Sequence, residues 1–248
     1  MRERYRFRVA DPTVIAIDWS GAKKTGPKSG IWLAVIRSGR LVQTEAVSKR
    51  ENAIALVRGY APPVIAGFDF SFGAPRWFAE HHDCASIDDL WALAERDGEV
   101  WLRPPPSPPF WCDRQLVPPE QRFRRCEERL KAMGSTTPKS IFQLVGNGQV
   151  GAGSVRGMPH LARLRGAEFA IWPFDRANDR TVLEIYPSLL RKLAPHHDVG
   201  PFTSEHERDA VVSARVMWDC REAIAALEAA TDPITRIEGD VWTPSSSL

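Results

Sequence analysis

Four acidic residues lie at positions where the surrounding pattern predicts the edge of a hydrophobic core. They are Asp18 in VIAIDWSG, Asp69 in VIAGFDFSFG, Glu184 in TVLEIYP and Asp209 in SEHERDAVV. One carboxylate at a strand end is common, but four on the elements of one sheet would meet at a point of high negative charge. Carboxylate oxygens are the ligands that Mg²⁺ and Mn²⁺ prefer. The four acids are therefore predicted to hold Mg²⁺ or Mn²⁺.

Each acid also has a simpler structural explanation. Asp18 and Asp69 precede turn-forming residues, where an aspartate commonly caps a turn. Asp209 could interact with the dipole of an early helical turn. Glu184 differs because it lies inside an apolar strand, where an unpaired charge is costly. It therefore needs either a metal ion or a buried arginine, and the surrounding pattern favours the metal.

The predicted chemistry is hydrolysis of a phosphodiester. Two metal ions about 3.5–4 Å apart can activate a water molecule and stabilise the charge on a transferring phosphoryl group. Asp18 is the predicted central ligand, because a strand end fixes its backbone while the turn at Ser20 and Gly21 leaves the site open. His206 lies three residues before Asp209 on one helical face, where it could move a proton or contact phosphate. Nearby carboxylates should favour its charged form.

Residues near the acids are predicted to bind the substrate. Lys23 and Lys24 follow Asp18 closely and could neutralise phosphate, and Ser20 lies in the turn between them and Asp18.

A glycine-rich stretch, GNGQVG, matches the GxGxxG pattern of dinucleotide-binding proteins. That pattern should follow the first strand of a βαβ unit and open a helix, whereas Gly153, Gly157 and Pro159 interrupt the segment after it. We therefore predict a loop near the site, in which the backbone N–H groups of Gly148 and Gly151 bind a phosphate.

The composition is that of an ordinary globular chain. Its 248 residues, 43% hydrophobic and 26% charged, can bury the core of one domain. The cysteines predict neither a zinc site nor a disulfide framework, because they lie far apart without a CxxC pair. No apolar run approaches the roughly 18 residues of a membrane span, and the first residues lack the apolar core of a signal peptide. We expect a protein of the reducing cytoplasm with no membrane partner.

The net charge of +2 is unevenly distributed. Residues 103–165 contain 11 Lys and Arg against 4 Asp and Glu, while residues 166–248 contain 8 against 14. A basic segment beside an acidic, metal-binding site suits a polyanion, which favours nucleic acid as the partner. Alternatively, the basic stretch QRFRRCEERLKAM is a solvated helix face with Glu/Arg pairs.

The elements that must position the acids follow from the apolar patterns. VIAIDWS is predicted as a strand, GIWLAVIRSGRLVQTEAV as a two-stranded hairpin, RENAIALVRGYA as a helix and PVIAGFDF as a buried strand. Residues 71–179 show no comparable run of strand patterns and are predicted as a helical and looped insertion. RTVLEIYP then resumes the strand pattern, and a long helix comes next, with Ser204 and Glu207 at capping-box spacing. The predicted fold is one α/β domain over residues 1–248, with a mixed five-stranded sheet and the order β-β-β-α-β-insertion-β-α.

The chain resembles a bacterial family of predicted RNase H-like nucleases, domain of unknown function family 429. The segments that carry the resemblance are IDWSG, GFDFSFGAP, FQLVGNGQVGAGS, WPFD, EIYPSLL and HERDAVVSA, in this order along nearly the whole chain. The resemblance implies an RNase H-like fold, with Asp18, Asp69, Glu184 and Asp209 as the acidic cluster of the site.

Three functions of different classes are consistent with these patterns. The first is a metal-dependent nuclease that hydrolyses DNA or RNA by a two-metal mechanism. The second is a phosphotransferase of the related actin-like class, although that fold normally needs a second strand-Asp-Gly turn that the chain lacks. The third is a non-catalytic binding module in which the acids form only salt bridges. The nuclease is favoured because all four acids occur in a consistent order.

Overall fold

One mixed sheet organises the parts of the chain that the structure describes. The structure is a computed structural model, and it describes residues 11–23, 30–112, 118–134, 138–145 and 150–244. The strands are β1 Thr13–Asp18, β2 Trp32–Arg37, β3 Arg40–Ala46, β4 Val64–Phe68, β5 Ala170–Ile171 and β6 Arg180–Glu184. Their spatial order is β3-β2-β1-β4-β6-β5.

The strand directions divide the sheet into two parts. β1, β2 and β3 are antiparallel neighbours, whereas β1, β4, β6 and β5 run parallel to one another. The hairpin between β2 and β3 turns at Ser38 and Gly39, both with positive φ (46° and 74°), as a two-residue hairpin turn requires. Every residue of β1 is buried, because β1 lies between two other strands and is covered on both faces.

The helices lie outside the sheet. They are α1 Arg50–Gly59, α2 Arg76–His81, α3 Ile87–Trp101, α4 Arg125–Ala132, α5 Val150–Arg165, α6 Pro187–Leu193, α7 Glu205–Asp219, α8 Arg221–Ala225 and α9 Thr235–Glu238. Among the described residues, no helix is both long and apolar enough to cross a membrane.

Successive residues of the strands pack alternately into two separate hydrophobic cores. Ile15, Ile17 and Phe68 belong to a core shared with α1, α3 and α5, and we call this side the insertion face. Val14 and Ala16 belong to a core shared with α7, and we call this side the α7 face. Because side chains of a strand point to opposite faces in turn, the face of each site residue follows from its position in its strand.

The α/β class, the mixed sheet and the first five elements agree with the sequence prediction. The prediction of five strands is wrong, because β5 within residues 71–179 adds a sixth at the sheet edge. β5 has only two residues, and a run that short has no alternation for a sequence pattern to reveal.

The prediction of a glycine-rich loop is also wrong where the chain is described, because Gly151, Gly153 and Gly157 lie in α5. Gly157 packs directly on Phe70, such that a Cβ there would lie 2.6 Å from the ring. Gly151 and Gly157 thus serve close packing, since a Cβ on Gly151 would likewise overlap the Ile141 carbonyl oxygen. Their low helix propensity is outweighed by the tertiary contacts they permit.

Candidate functional site

The carboxyl ends of the parallel strands meet at one edge of the sheet. Asp18 is the last residue of β1, and Asp69 follows β4 directly. The backbone N–H of Asp69 donates to the Ile17 carbonyl at 3.0 Å, so the β1–β4 ladder extends to the site. The carboxyl groups of Asp18 and Asp69 are close enough to shift each other's pKa. Two acids predicted from separate segments are therefore neighbours.

Helix α7 covers these two acids from one side. It packs closely on β4 because Gly67 has no side chain, and a Cβ there would lie 2.7 Å from Met217 Sδ. His206, in the first turn of α7, lies with Nδ1 2.7 Å from Asp18 Oδ2. The carboxyl group of Asp18 is thus bounded by Asp69 and by His206.

The pKa values of this group reflect its crowding. Burial raises the pKa of Asp18, and the hydrogen bond from His206 partly offsets that effect. The pKa of Asp69 is raised further, first by burial and then by repulsion from the neighbouring carboxylates. The hydrogen bond to Asp18 raises the pKa of His206, as the sequence predicts for a histidine near carboxylates. Asp69 therefore keeps a proton more readily than an ordinary aspartate.

Asp209 joins the cluster from the second turn of α7. Burial raises its pKa to about 6, and the charge of Arg191 opposes that shift. Asp209 Oδ1 lies 3.0 Å from Arg191 Nη1, yet it is buried and makes no hydrogen bond of good geometry. Arg191, on α6, also pairs with Glu205 at 3.0 Å. The sequence did not predict Arg191, whose only signal is its place within a short helix soon after Glu184.

Glu184 has a buried arginine, one of the two partners that its strand-interior position predicts. Arg124 forms a two-pronged ion pair with it, with Nη1 2.9 Å from Oε2 and Nη2 in contact with Oε1. The backbone N–H of Phe72 also donates to Oε2, at 2.8 Å. Asp69 and Glu184 line the same small cavity, of about 40 Å³. Metal ligation by Glu184 stays a prediction.

The predicted substrate-binding residues fall in different places. Ser20 lies in the turn after β1, and its Oγ accepts from the Ala22 N–H at 3.2 Å. Lys23 is exposed at the rim of a cavity of about 350 Å³ between α1, α3 and α5. The backbone N–H of Gly151 donates to the Gln143 carbonyl, so it is not free to bind phosphate. Lys24 and Gly148 lie outside the described residues.

Two arginines fix the turn that follows Asp18. Arg50, the first residue of α1, donates to the Ser20 carbonyl through Nε at 3.1 Å and Nη2 at 2.8 Å. Arg156 of α5 donates to the Gly21 carbonyl. Neither arginine is predicted from the sequence, because their partners are main-chain carbonyls that no side-chain pattern marks.

The basic segment is largely neutralised by acids from elsewhere in the chain. The ion pairs are Arg124–Glu184, Arg125–Asp232, Arg129–Asp240, Arg156–Glu99, Arg163–Glu95 and Arg165 with Asp88 and Asp175. Several of these pairs join the insertion to the acidic C-terminal part. The uneven charge along the sequence therefore reflects internal pairing at these arginines rather than a free basic surface.

A different group of side chains places its possible metal-ligand atoms close together. Within the described residues, the three atoms offered by His196, His197 and Asp219 all lie within 4.8 Å of one another, and the predicted acids form no such group of three. In the structure His197 Nε2 lies 2.9 Å from Asp219 Oδ2, where the C-terminal end of α7 meets the turn after α6.

None of the protein-family models, curated proteins and solved structures compared with this chain matches it. The function must therefore be argued from the site itself.

Proposed function

We propose that this protein is a metal-dependent nuclease of RNase H-like fold that hydrolyses phosphodiester bonds of DNA or RNA. The observation that carries the proposal is the position of Asp18 and Asp69 side by side at the ends of adjacent parallel strands, with His206 and Asp209 of α7 beside them. Three antiparallel strands, a helix, the parallel strands β4 and β6 and the helix α7 also support the RNase H-like assignment, with β5 and the helices of residues 71–179 as additions.

The residues of the site fit a divalent cation. The pKa of Asp69 is raised by burial and then by Asp18, Asp209 and Glu184, so a bound cation would relieve repulsion among these carboxylates. Asp209 Oδ1 is buried and pairs with Arg191 but accepts no hydrogen bond. Asp18, Asp69 and Asp209 would hold Mg²⁺ or Mn²⁺, whose hard character suits carboxylate oxygens. When bound, such ions activate water and stabilise charge on the phosphoryl oxygens.

The side chains of the protein supply the remaining steps. His206 Nδ1 faces Asp18, which raises the pKa of the ring and favours its charged form, and the side chain is 56% exposed. The charged ring can therefore exchange the proton on its other nitrogen, Nε2, with a substrate oxygen. Lys23 is exposed after the turn that leaves Asp18 and can contact substrate phosphate. Arg50 and Arg156 keep that turn in place through its carbonyls. Positioning of this kind lowers the entropy cost of reaching the reactive geometry.

The test is cleavage by the purified protein with Mg²⁺ or Mn²⁺, against single-stranded, duplex, hybrid and branched substrates. Asp18→Asn keeps the size of the side chain and removes its charge, so we expect the rate to fall at least about a hundredfold. Asp97→Asn is the matched control, because Asp97 lies on α3 and pairs with its neighbour Arg96. The proposal fails if no substrate is cut, or if Asp18→Asn cuts as fast as Asp97→Asn.

One observation favours a non-catalytic module, in which the acids form only ion pairs. His206, Arg191 and Arg124 each contact one of the acids. Asp69 does not fit that role, because the charges that most perturb its pKa are the carboxylates Asp18, Asp209 and Glu184. In a module held together by ion pairs, an acid such as Asp69 placed among other carboxylates would add repulsion and no stabilising pair. The nuclease is therefore the better supported function.

A further inference from the structure

Glu184 leaves β6 on the insertion face, although it lines the same small cavity as Asp69. It pairs in register with Phe68, whose side chain lies in the core of the insertion face. The next residue, Ile185, lies in the core of the α7 face. Asp69 follows Phe68, and Asp18 follows Ile17 of the insertion-face core, so both belong to the α7 side by the same alternation. Glu184 thus leaves the sheet on the opposite face from Asp18 and Asp69.

On that face the carboxylate of Glu184 already accepts three hydrogen bonds. An ionised carboxylate offers about four lone-pair positions. Oε2 accepts from Arg124 Nη1 and from the Phe72 N–H, and Oε1 accepts from Arg124 Nη2. The side chains of Arg124 and Glu184 are 1% and 4% exposed. Three donors of the protein therefore hold this carboxylate in a dry environment.

Arg124 is itself fixed by the insertion and by the C-terminal part of the chain. Its Nε donates to Glu127 Oε1 at 3.0 Å, and its Nη1 also donates to the Glu238 carbonyl at 3.0 Å. The backbone N–H of Trp242 donates to the Glu184 carbonyl at 2.9 Å, which closes the C-terminal part over the end of β6. The same guanidinium thus joins Glu184 to Glu127 and to the Glu238 carbonyl.

We propose that Arg124 is a positioning residue of the acidic site, and that Glu184 stays bound to it outside the metal-ligand set of Asp18, Asp69 and Asp209. Glu184 accepts from the N–H of Phe72, which is only three residues after Asp69. Arg124 therefore fixes the chain that leaves Asp69 through Glu184 and the Phe72 amide. This inference rests on the proposed function for its ligand assignment, but not for the positioning itself.

The test uses the full chain and three variants. Glu184→Gln keeps the shape and an acceptor oxygen, and it leaves Arg124 balanced by Glu127. Arg124→Lys keeps the charge but loses the two-pronged contact. Glu127→Gln is the matched control, because Glu127 binds the same arginine but does not contact Phe72 in the way that Glu184 does.

Mn²⁺ binding by calorimetry, without substrate, tests the ligand assignment. We expect Glu184→Gln to bind the same number of Mn²⁺ ions with a Kd within about threefold of the wild type. Asp69→Asn, by contrast, should weaken binding at least about tenfold, a loss of about 1.4 kcal/mol. If Glu184→Gln weakens binding as much as Asp69→Asn does, Glu184 is a ligand and the assignment is overturned.

Hydrogen exchange at the Phe72 amide, measured without metal, tests the positioning role. We expect Arg124→Lys to speed this exchange at least about tenfold and Glu127→Gln to leave it unchanged. In cleavage assays Arg124→Lys should lower kcat with little change in KM. Equal exchange in the two variants would overturn the positioning role. If the wild type binds no Mn²⁺ and cuts nothing, the proposed function and the ligand assignment fail together, and the Phe72 amide still decides the positioning.

Discussion

At the residue scale, the site concentrates groups whose ionisation the fold makes costly. Asp18, Asp69 and Asp209 all have raised pKa values, mainly because the protein removes their carboxyl groups from water. A fold selected only for stability would place such acids on the surface or pair them fully. Perturbed carboxylates that converge on one point are typical of functional sites, where binding or catalysis compensates for the loss of stability.

The pH dependence of stability tests whether burial of the Asp209 carboxyl group destabilises the fold. Its pKa of about 6 in the folded protein exceeds the ordinary aspartate value of 3.8, so between these pH values the folded state binds more protons than the unfolded state. Stability from this group therefore falls as the pH rises from about 4 to 6. The Asp209→Asn variant lacks this group. We therefore expect the difference in free energy of unfolding, variant minus wild type, to increase by about 2–3 kcal/mol from pH 4 to pH 6, measured by urea denaturation in EDTA.

Asp198→Asn is the control of opposite sign. The hydrogen bond from Arg208 lowers the pKa of Asp198, so this pair stabilises the fold above the unfolded pKa and loses its effect as the pH falls. The Asp198→Asn variant should therefore lose stability relative to the wild type as the pH rises toward the ordinary aspartate value of 3.8, and change little between pH 4 and 6. If the free energy of unfolding of Asp209→Asn changes with pH in the same way as that of the wild type between pH 4 and 6, the raised pKa of Asp209 is contradicted.

At the element scale, α5 shows how packing overrides local preference. It contains three glycines and Pro159, a composition that by itself disfavours a helix. The glycines allow α5 to approach its neighbours, and the indole N–H of Trp19 donates to the Gly153 carbonyl at 3.1 Å. Trp19 directly follows Asp18, so the packing of α5 also fixes the chain next to the site. The glycines of α5 thus act on the site through the packing of that helix.

Gly157→Ala tests this packing. A Cβ at this position would lie 2.6–2.7 Å from three atoms of the Phe70 ring, which packing in the core leaves little room to move. We expect a loss of about 1–2 kcal/mol in the free energy of unfolding, because overpacking outweighs the gain in helix propensity. Gly59→Ala in α1 is the matched control, since no atom lies within 4 Å of its Cβ position. That variant should gain up to about 1 kcal/mol. Equal gains in both variants would show that Phe70 moves aside without cost.

At the scale of the whole molecule, the insertion is part of the fold. Its helices α3 and α5 share one hydrophobic core with β1, β4 and β6. The arginines of its basic segment pair with acids of the C-terminal part, including Asp232 and Asp240. These contacts bring together segments that are about a hundred residues apart in the sequence. The acidic site therefore depends on the insertion for its support as well as on the sheet.

Hydrogen exchange of the backbone amides can show which strands of the sheet are most stable against local opening. β1 is buried along its whole length between β2 and β4, whereas β3 lies at the edge with half-exposed and exposed side chains. Amides of β1 and β4 should exchange at least about a hundredfold more slowly than those of β3 that bond to β2, because β3 can open locally. Equal protection in β1 and β3 would mean that the sheet opens only as a unit.

The sequence by itself determined the α/β class, the order of the main elements and the positions of Asp18 and Asp69 at the ends of buried strands. These features depend on alternation and on local turn chemistry, which a single segment contains. Only the tertiary structure decided which partner each acid has. The register between β4 and β6 places Glu184 opposite Phe68, on the face where Arg124 lies. Register and ion pairing depend on segments distant in the chain, and no local pattern specifies them.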